Sequence, residues 1–119
     1  MDTSFEVEHD SVEETYVVRV HGSIDLTTGQ AVSDALHAAH ESQIATVIVD
    51  LCDTEFMDST GLHVLLDGQR DLIREKRRLA IICPDGNVRR ILELIQLSGT
   101  FELHQSLEDA LADRDGDRP

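Results

Sequence analysis

The chain predicts an α/β domain with a mixed, mostly parallel sheet of about five strands and about four helices, in the order ββαβαβαβα. Three observations carry this. Two continuous aliphatic runs, TVIVDL at 46–51 and LAIIC at 79–83, are strands of the kind that parallel sheets bury on both faces. Beside them, apolar residues recur at steps of three and four, the period of a helix. Helices are inserted between strands at short intervals, the pattern of crossover connections.

Taken in order, SFEVE at 4–8 and TYVVRVHGSI at 15–24 are rich in Val and β-formers, and they read as a hairpin separated by the polar link HDSVEE. Thr27 to Gln30 has capping-box spacing, and Val32, Ala35, Leu36 and Ala39 continue it as a first amphipathic helix. After TVIVDL, a second helix starts near Leu62 and carries Leu65, Leu66, Leu72 and Ile73 on one stripe. Arg74, Lys76, Arg77 and Arg78 crowd its end, where the helix dipole favours cations. LAIIC follows, and past Pro84 the residues Val88, Ile91, Leu92 and Ile95 make a third helix that Gly99 ends. FELH at 101–104 is a last short strand, and Ser106 with Asp109 caps a small helix through Ala110 and Leu111. Residues 1–112 form one domain, and 113–119 are expected to be a disordered tail.

Composition excludes several functions. A net charge of -14 disfavours any phosphate-backbone partner, and three Phe, one Tyr and no Trp leave no stacking platform for single strands. Direct nucleic acid binding is therefore not expected. The six histidines form no HExxH or His/Cys cluster, so no metal is expected, and no GxxxxGK[ST] or GxGxxG loop calls for a cofactor. Cys52 and Cys83 are far from CxxC spacing, and MDTSFEVEHD has neither a basic nor an apolar leader region, which points to a reduced, cytoplasmic setting. No apolar run approaches the roughly 18 to 20 residues of a membrane span, so no membrane insertion is expected.

The stretch EFMDSTGLHVLL, residues 55–66, lies on a loop leaving the carboxyl end of a strand, where sites gather in open α/β sheets. A helix start needs one capping side chain, yet this one offers Asp58, Ser59 and Thr60 ahead of Gly61. A cap with a tight glycine turn accounts for part of it. A hydroxyl at a positive helix end where a phosphate is tolerated is the other reading, and composition leaves both open.

Three catalytic patterns fit poorly. An aspartic-protease motif has its Gly two residues after the Asp, whereas Gly61 is three after Asp58. A receiver-type aspartyl-phosphate site at Asp50 or Asp53 needs a lysine near the last strand, and the only lysine, Lys76, is at a helix end. A serine hydrolase needs a GxSxG elbow, which is missing, and His63 is merely four residues beyond Ser59. The chain reads as a non-enzyme.

Taken together, VIVDLCDTEFMDSTGLHVLL, GSIDLTT and CPDGNVRRILELIQLSGTFELHQSLEDAL resemble the STAS domain of bacterial anti-sigma factor antagonists over nearly the whole chain. FMDSTGL is similar, residue for residue, to that family's phosphorylation loop. The resemblance implies that Ser59 is the residue a partner kinase phosphorylates. It further implies that the unmodified protein binds an anti-sigma factor, itself the serine kinase, and so releases a sigma factor. Phosphorylation ends the binding and a phosphoserine phosphatase resets it. Asp25 matches an acidic position on the neighbouring loop, and with Thr27, Thr28, Met57, Asp58, Thr60, Gly61 and Leu62 it completes the implied partner-binding set.

A phosphoserine brings about -1.5 to -2 charge beside Asp58. Two like charges about 4 Å apart at an effective dielectric near 20 repel by roughly 4 kcal/mol, close to a thousandfold in affinity. One hydroxyl is enough for a switch. The alternative is a stand-alone STAS subunit docking on a transport or lipid-trafficking membrane complex. An enzyme with Asp58 or Asp50 as acceptor comes third.

Overall fold

The structure is a computed structural model and describes residues 5–96 and 101–112. Strands β1 (Glu6–Val12) and β2 (Thr15–His21) form an antiparallel hairpin. Its turn is only Glu13 and Glu14, with φ of 50° and 65°, the two-residue geometry whose twist suits paired strands. His9 to Val12, expected as part of the link, therefore stay in the ladder, with His9 opposite Val18 and Val12 opposite Thr15. Their polarity does not prevent this, because β1 is an edge strand and largely exposed.

Helix α1 (Gly29–Glu41) leads to β3 (Thr46–Asp53), α2 (Ser59–Arg74) to β4 (Arg78–Ile82), and α3 (Asn87–Gln96) to β5 (Glu102–His104). The sheet order follows the chain, β1-β2-β3-β4-β5, with every pair after the first parallel. Three crossovers stepping the same way along a sheet, all of one hand, place their helices on one face. The main core accordingly joins Val32, Leu36, Leu65, Leu72, Val88 and Leu92 from those helices to the alternate strand residues Val18, Val20, Val47, Val49, Leu79 and Ile81. The intervening residues Val17, Ile48, Ala80 and Ile82 face the other way and meet the short helix α4 (Leu107–Ala112), whose start Ser106 caps by accepting from Asp109 N at 3.1 Å. Ile95's side chain, Gly99 and the tail at 113–119 lie outside the described residues.

Two expectations for α2 are corrected. Its buried stripe runs Leu65, Gln69, Leu72, while Ile73, one step further round the helix, is 56% exposed. Of the basic run, only Arg74 lies in the last turn. Lys76 takes the left-handed position (φ 61°) of a Schellman cap, with its N–H on Ile73 O at 2.8 Å and that of Arg77 on Leu72 O at 2.9 Å. The Arg77 side chain then turns to a different helix, donating to Ala39 O, His40 O and Ile44 O at 2.8–3.1 Å, and so closes the C-terminus of α1. Arg78 begins β4 and pairs with Glu102.

Candidate functional site

The loops after β2 and β3 are joined side by side. Gly22 N donates to Asp53 O at 3.1 Å, Ile24 N to Phe56 O at 3.0 Å and Asp58 N to Ile24 O at 3.2 Å, so that Ile24 and Met57 form a parallel bridge. Both of these side chains are core, 0% and 2% exposed. Because side chains alternate along extended backbone, burying Ile24 and Met57 turns Asp25 and Asp58 outward beside each other. One backbone bridge over two buried side chains thus brings together two acids that are far apart in the sequence.

Asp58 is the N-cap of α2, in extended conformation, and its carboxylate accepts from Thr60 N at 2.8 Å and Gly61 N at 3.4 Å. The acid, not a hydroxyl, does the capping. Ser59 is consequently the first helical residue, exposed, with no hydrogen bond from its hydroxyl among the described residues. The helix starts three residues before Leu62. Gly61 is required by close approach: a β-carbon there would overlap Met57 Cγ and stand 2.9 Å from Ile24 Cγ2.

The other loop is fixed by Asp25. Its Oδ1 accepts from Thr27 Oγ1 at 2.8 Å, Thr27 N at 2.9 Å and Thr28 N at 3.2 Å. These bonds, that from the Thr27 hydroxyl foremost, hold its carboxyl below the usual range. Thr28 rather than Thr27 occupies the N-cap position of α1 and gives the helix no side-chain bond, since its hydroxyl accepts from Asp25 N at 2.9 Å and donates to Ser23 O at 2.8 Å. The expected capping box does not form, and Gln30 Nε2 instead reaches Asp34 Oδ1 at 2.9 Å. A better local acceptor, Asp25, has taken the Thr27 N–H that the box would satisfy.

Of the predicted site residues, Asp25, Thr27, Thr28, Asp58, Ser59 and Thr60 share this surface, wholly or partly exposed. Met57 and Gly61 are buried, and Leu62 is half-buried and packs on the core. Met57 and Gly61 build the loop from beneath, and Leu62 lies partly on the core and partly at the surface.

A family model described as the STAS domain matches residues 6–110. The chain belongs to the STAS domain family. It is 29% identical to the anti-sigma-F factor antagonist RsfB of Mycobacterium tuberculosis over 102 residues, 86% of this chain and 83% of the relative. Over 84 residues it is also 29% identical to the anti-sigma-B factor antagonist of Listeria monocytogenes, covering 71% of this chain and 74% of the relative. The crystal structure of an anti-sigma factor antagonist from Mycobacterium paratuberculosis superposes with a TM-score of 0.84 at 29% identity, covering 92% of both chains.

Other features of this STAS domain bear on the alternatives. Among the described residues no group of three or more His, Cys, Asp or Glu is placed to hold a metal, and no helix is long and apolar enough to cross a membrane. His40 pairs with Glu75 at 3.0 Å, while His37 and His63 are exposed. Cys52 and Cys83, distant in sequence, both line a cleft of about 310 Å³ at the ends of β3 and β4. Desolvation pushes their thiols up to about 12 and about 11, helped at Cys52 by Asp50, so both stay protonated and weakly nucleophilic at neutral pH. Leu26 and Phe56, exposed on the two bridged loops, were not singled out from the sequence. The signal was present: Leu26 is an isolated apolar residue in the polar turn DLTT, and Phe56 is one of only three Phe in the chain.

Proposed function

We propose that this STAS domain is an anti-sigma factor antagonist of the partner-switching kind. Unmodified, it binds an anti-sigma factor that is also a serine kinase, and a sigma factor is released. The observation that carries the reading is the division of labour at the start of α2, where Asp58 takes the cap and leaves the Ser59 hydroxyl exposed and uncommitted. The names of its relatives support the antagonist role over a docking subunit of a transport complex.

In the switch, Ser59 Oγ attacks the γ-phosphorus of a nucleoside triphosphate held by the kinase. The new P–O bond forms as the bond to the bridging β,γ-oxygen breaks, the hydroxyl proton passes to a base of the kinase, and the nucleoside diphosphate leaves. The product phosphate sits at the positive end of a 16-residue helix, so the fold tolerates it. Its partner does not: the phosphate meets the nucleotide phosphates of the kinase at a few ångströms, where like charges cost several kcal/mol. A phosphoserine phosphatase hydrolyses the ester with water and restores binding. The working compartment is the cytoplasm, where nucleotide and sigma factor are found.

Phosphopeptide mass spectrometry on the wild type and Ser59→Ala, each incubated with ATP and lysate of the source cells, tests this. A single phosphate on Ser59, absent from the variant, is expected. No phosphate, or one elsewhere in both proteins, sinks the reading and leaves Ser59 as a helix-start residue only.

A further inference from the structure

Four large apolar side chains stand exposed among the described residues, and two of them, Leu26 at 81% and Phe56 at 54%, are on the bridged loops around Ser59. Their backbone is held. Phe56 O accepts from Ile24 N at 3.0 Å, and the burial of Met57 turns its neighbours Phe56 and Asp58 to the outward side. Leu26 lies within the turn in which Asp25 O accepts from Gly29 N at 2.8 Å and Thr28 N at 3.2 Å. That turn packs on the first turn of α2, for a β-carbon on Gly29 would come within 2.8 Å of Thr60 Cγ2.

Exposed apolar groups on a fixed backbone gain from being taken out of water and give up little freedom when bound. The charged residues next to them along the chain are acidic. Asp25 adjoins Leu26, Glu55 adjoins Phe56, Asp58 follows two residues later, and no Lys or Arg occurs between Arg19 and Arg70.

We infer that Leu26 and Phe56 are paired apolar anchors by which the unphosphorylated chain holds its kinase partner, and that the partner presents two apolar sockets rimmed by Lys or Arg. This rests on the antagonist reading and divides the work within it. The anchors and the acidic rim set the affinity, whereas Ser59, facing the nucleotide, sets whether that affinity is expressed. A cationic rim does not reject a phosphate, so the repulsion in the phosphorylated state comes from the nucleotide phosphates opposite Ser59.

The test uses the full chain, titrated calorimetrically against each purified serine-kinase anti-sigma factor encoded by the source genome, with ADP present. Leu26→Ser and Phe56→Ser are each expected to raise Kd about tenfold and the double variant about a hundredfold, with unchanged thermal midpoints. Ile73→Ser and Leu94→Ser, equally apolar and exposed elsewhere, are expected to stay within twofold. In phosphorylation assays the anchor variants raise KM and leave kcat unchanged, because Ser59 is untouched. Wild-type affinity falls as salt rises from 50 to 500 mM.

Anchor variants within twofold of wild type, alongside a Ser59→Asp variant that no longer binds, would overturn the anchors and leave the antagonist reading standing. Salt-independent affinity overturns the cationic rim. If the wild type binds none of the kinases, the antagonist reading falls and the anchors fall with it.

Discussion

Replacing Asp58 separates capping from charge at the start of α2. Asp58→Ala removes the 2.8 Å bond from Thr60 N, the longer bond from Gly61 N, and a negative charge at the positive end of the helix. Loss of the cap costs about 1 kcal/mol and loss of the charge about 0.3–1 kcal/mol, so about 1.5 kcal/mol in all. For a domain of this size that lowers the thermal midpoint by about 5 to 8 °C. Asp58→Asn keeps a capping oxygen and loses only the charge, so it should fall by less than half as much. Ser59→Ala should change stability by less than about 0.5 kcal/mol, since an exposed hydroxyl without a partner contributes little. Thermal and urea unfolding followed by far-ultraviolet circular dichroism measure all three. The assignment of the cap is refuted if Ser59→Ala costs as much as Asp58→Ala, or if Asp58→Asn is as unstable as Asp58→Ala.

Gly61→Ala should destabilise by about 1–2 kcal/mol in denaturant titrations although helix propensity alone favours Ala by about 1 kcal/mol, because the added methyl collides with the buried Met57 and Ile24. Arg77→Lys should lose about 2 kcal/mol, since an ammonium keeps the charge but cannot span Ala39 O, His40 O and Ile44 O as the guanidinium does; a loss below 0.5 kcal/mol would mean that water replaces it. His21 Nε2 bonds Glu8 at 2.8 Å and Nδ1 bonds Asp53 at 2.6 Å, and these carboxylates, Glu8 first, raise its pKa. A raised histidine pKa stabilises fully below the unfolded value of about 6.5 and loses that contribution as pH rises through the higher folded value. The stability difference between wild type and His21→Gln should therefore shrink across that window, and a difference that grows with pH would contradict the ion pairs.

Two kinds of pattern made the order ββαβαβαβα legible: each long helix buries one side and repeats at three and four, while β3 and β4, buried on both faces, show as continuous aliphatic runs. FMDSTGL was legible too, as more polar chemistry than a helix start requires. What the sequence could not assign was who does which job, since Asp58, Ser59 and Thr60 are all competent caps and only backbone geometry selects one. The same holds for Thr27, whose spacing suits a capping box until Asp25 takes its donors. Ile73 and the basic run were misread because a stripe or charge cluster counted along the chain does not reveal where the helix stops, and the stop at Glu75 sends Arg77 to another helix.

The sequence by itself determined the elements, the exposed serine's neighbourhood and the strongly acidic character, all of which are local or additive properties of the chain. Tertiary structure alone decided the strand order, the placing of three helices on one face, and the meeting of Asp25 with Asp58. That meeting depends on the backbone bridge between Ile24 and Met57, whose two side chains are buried beneath it, and pairings between distant residues leave no period in a sequence.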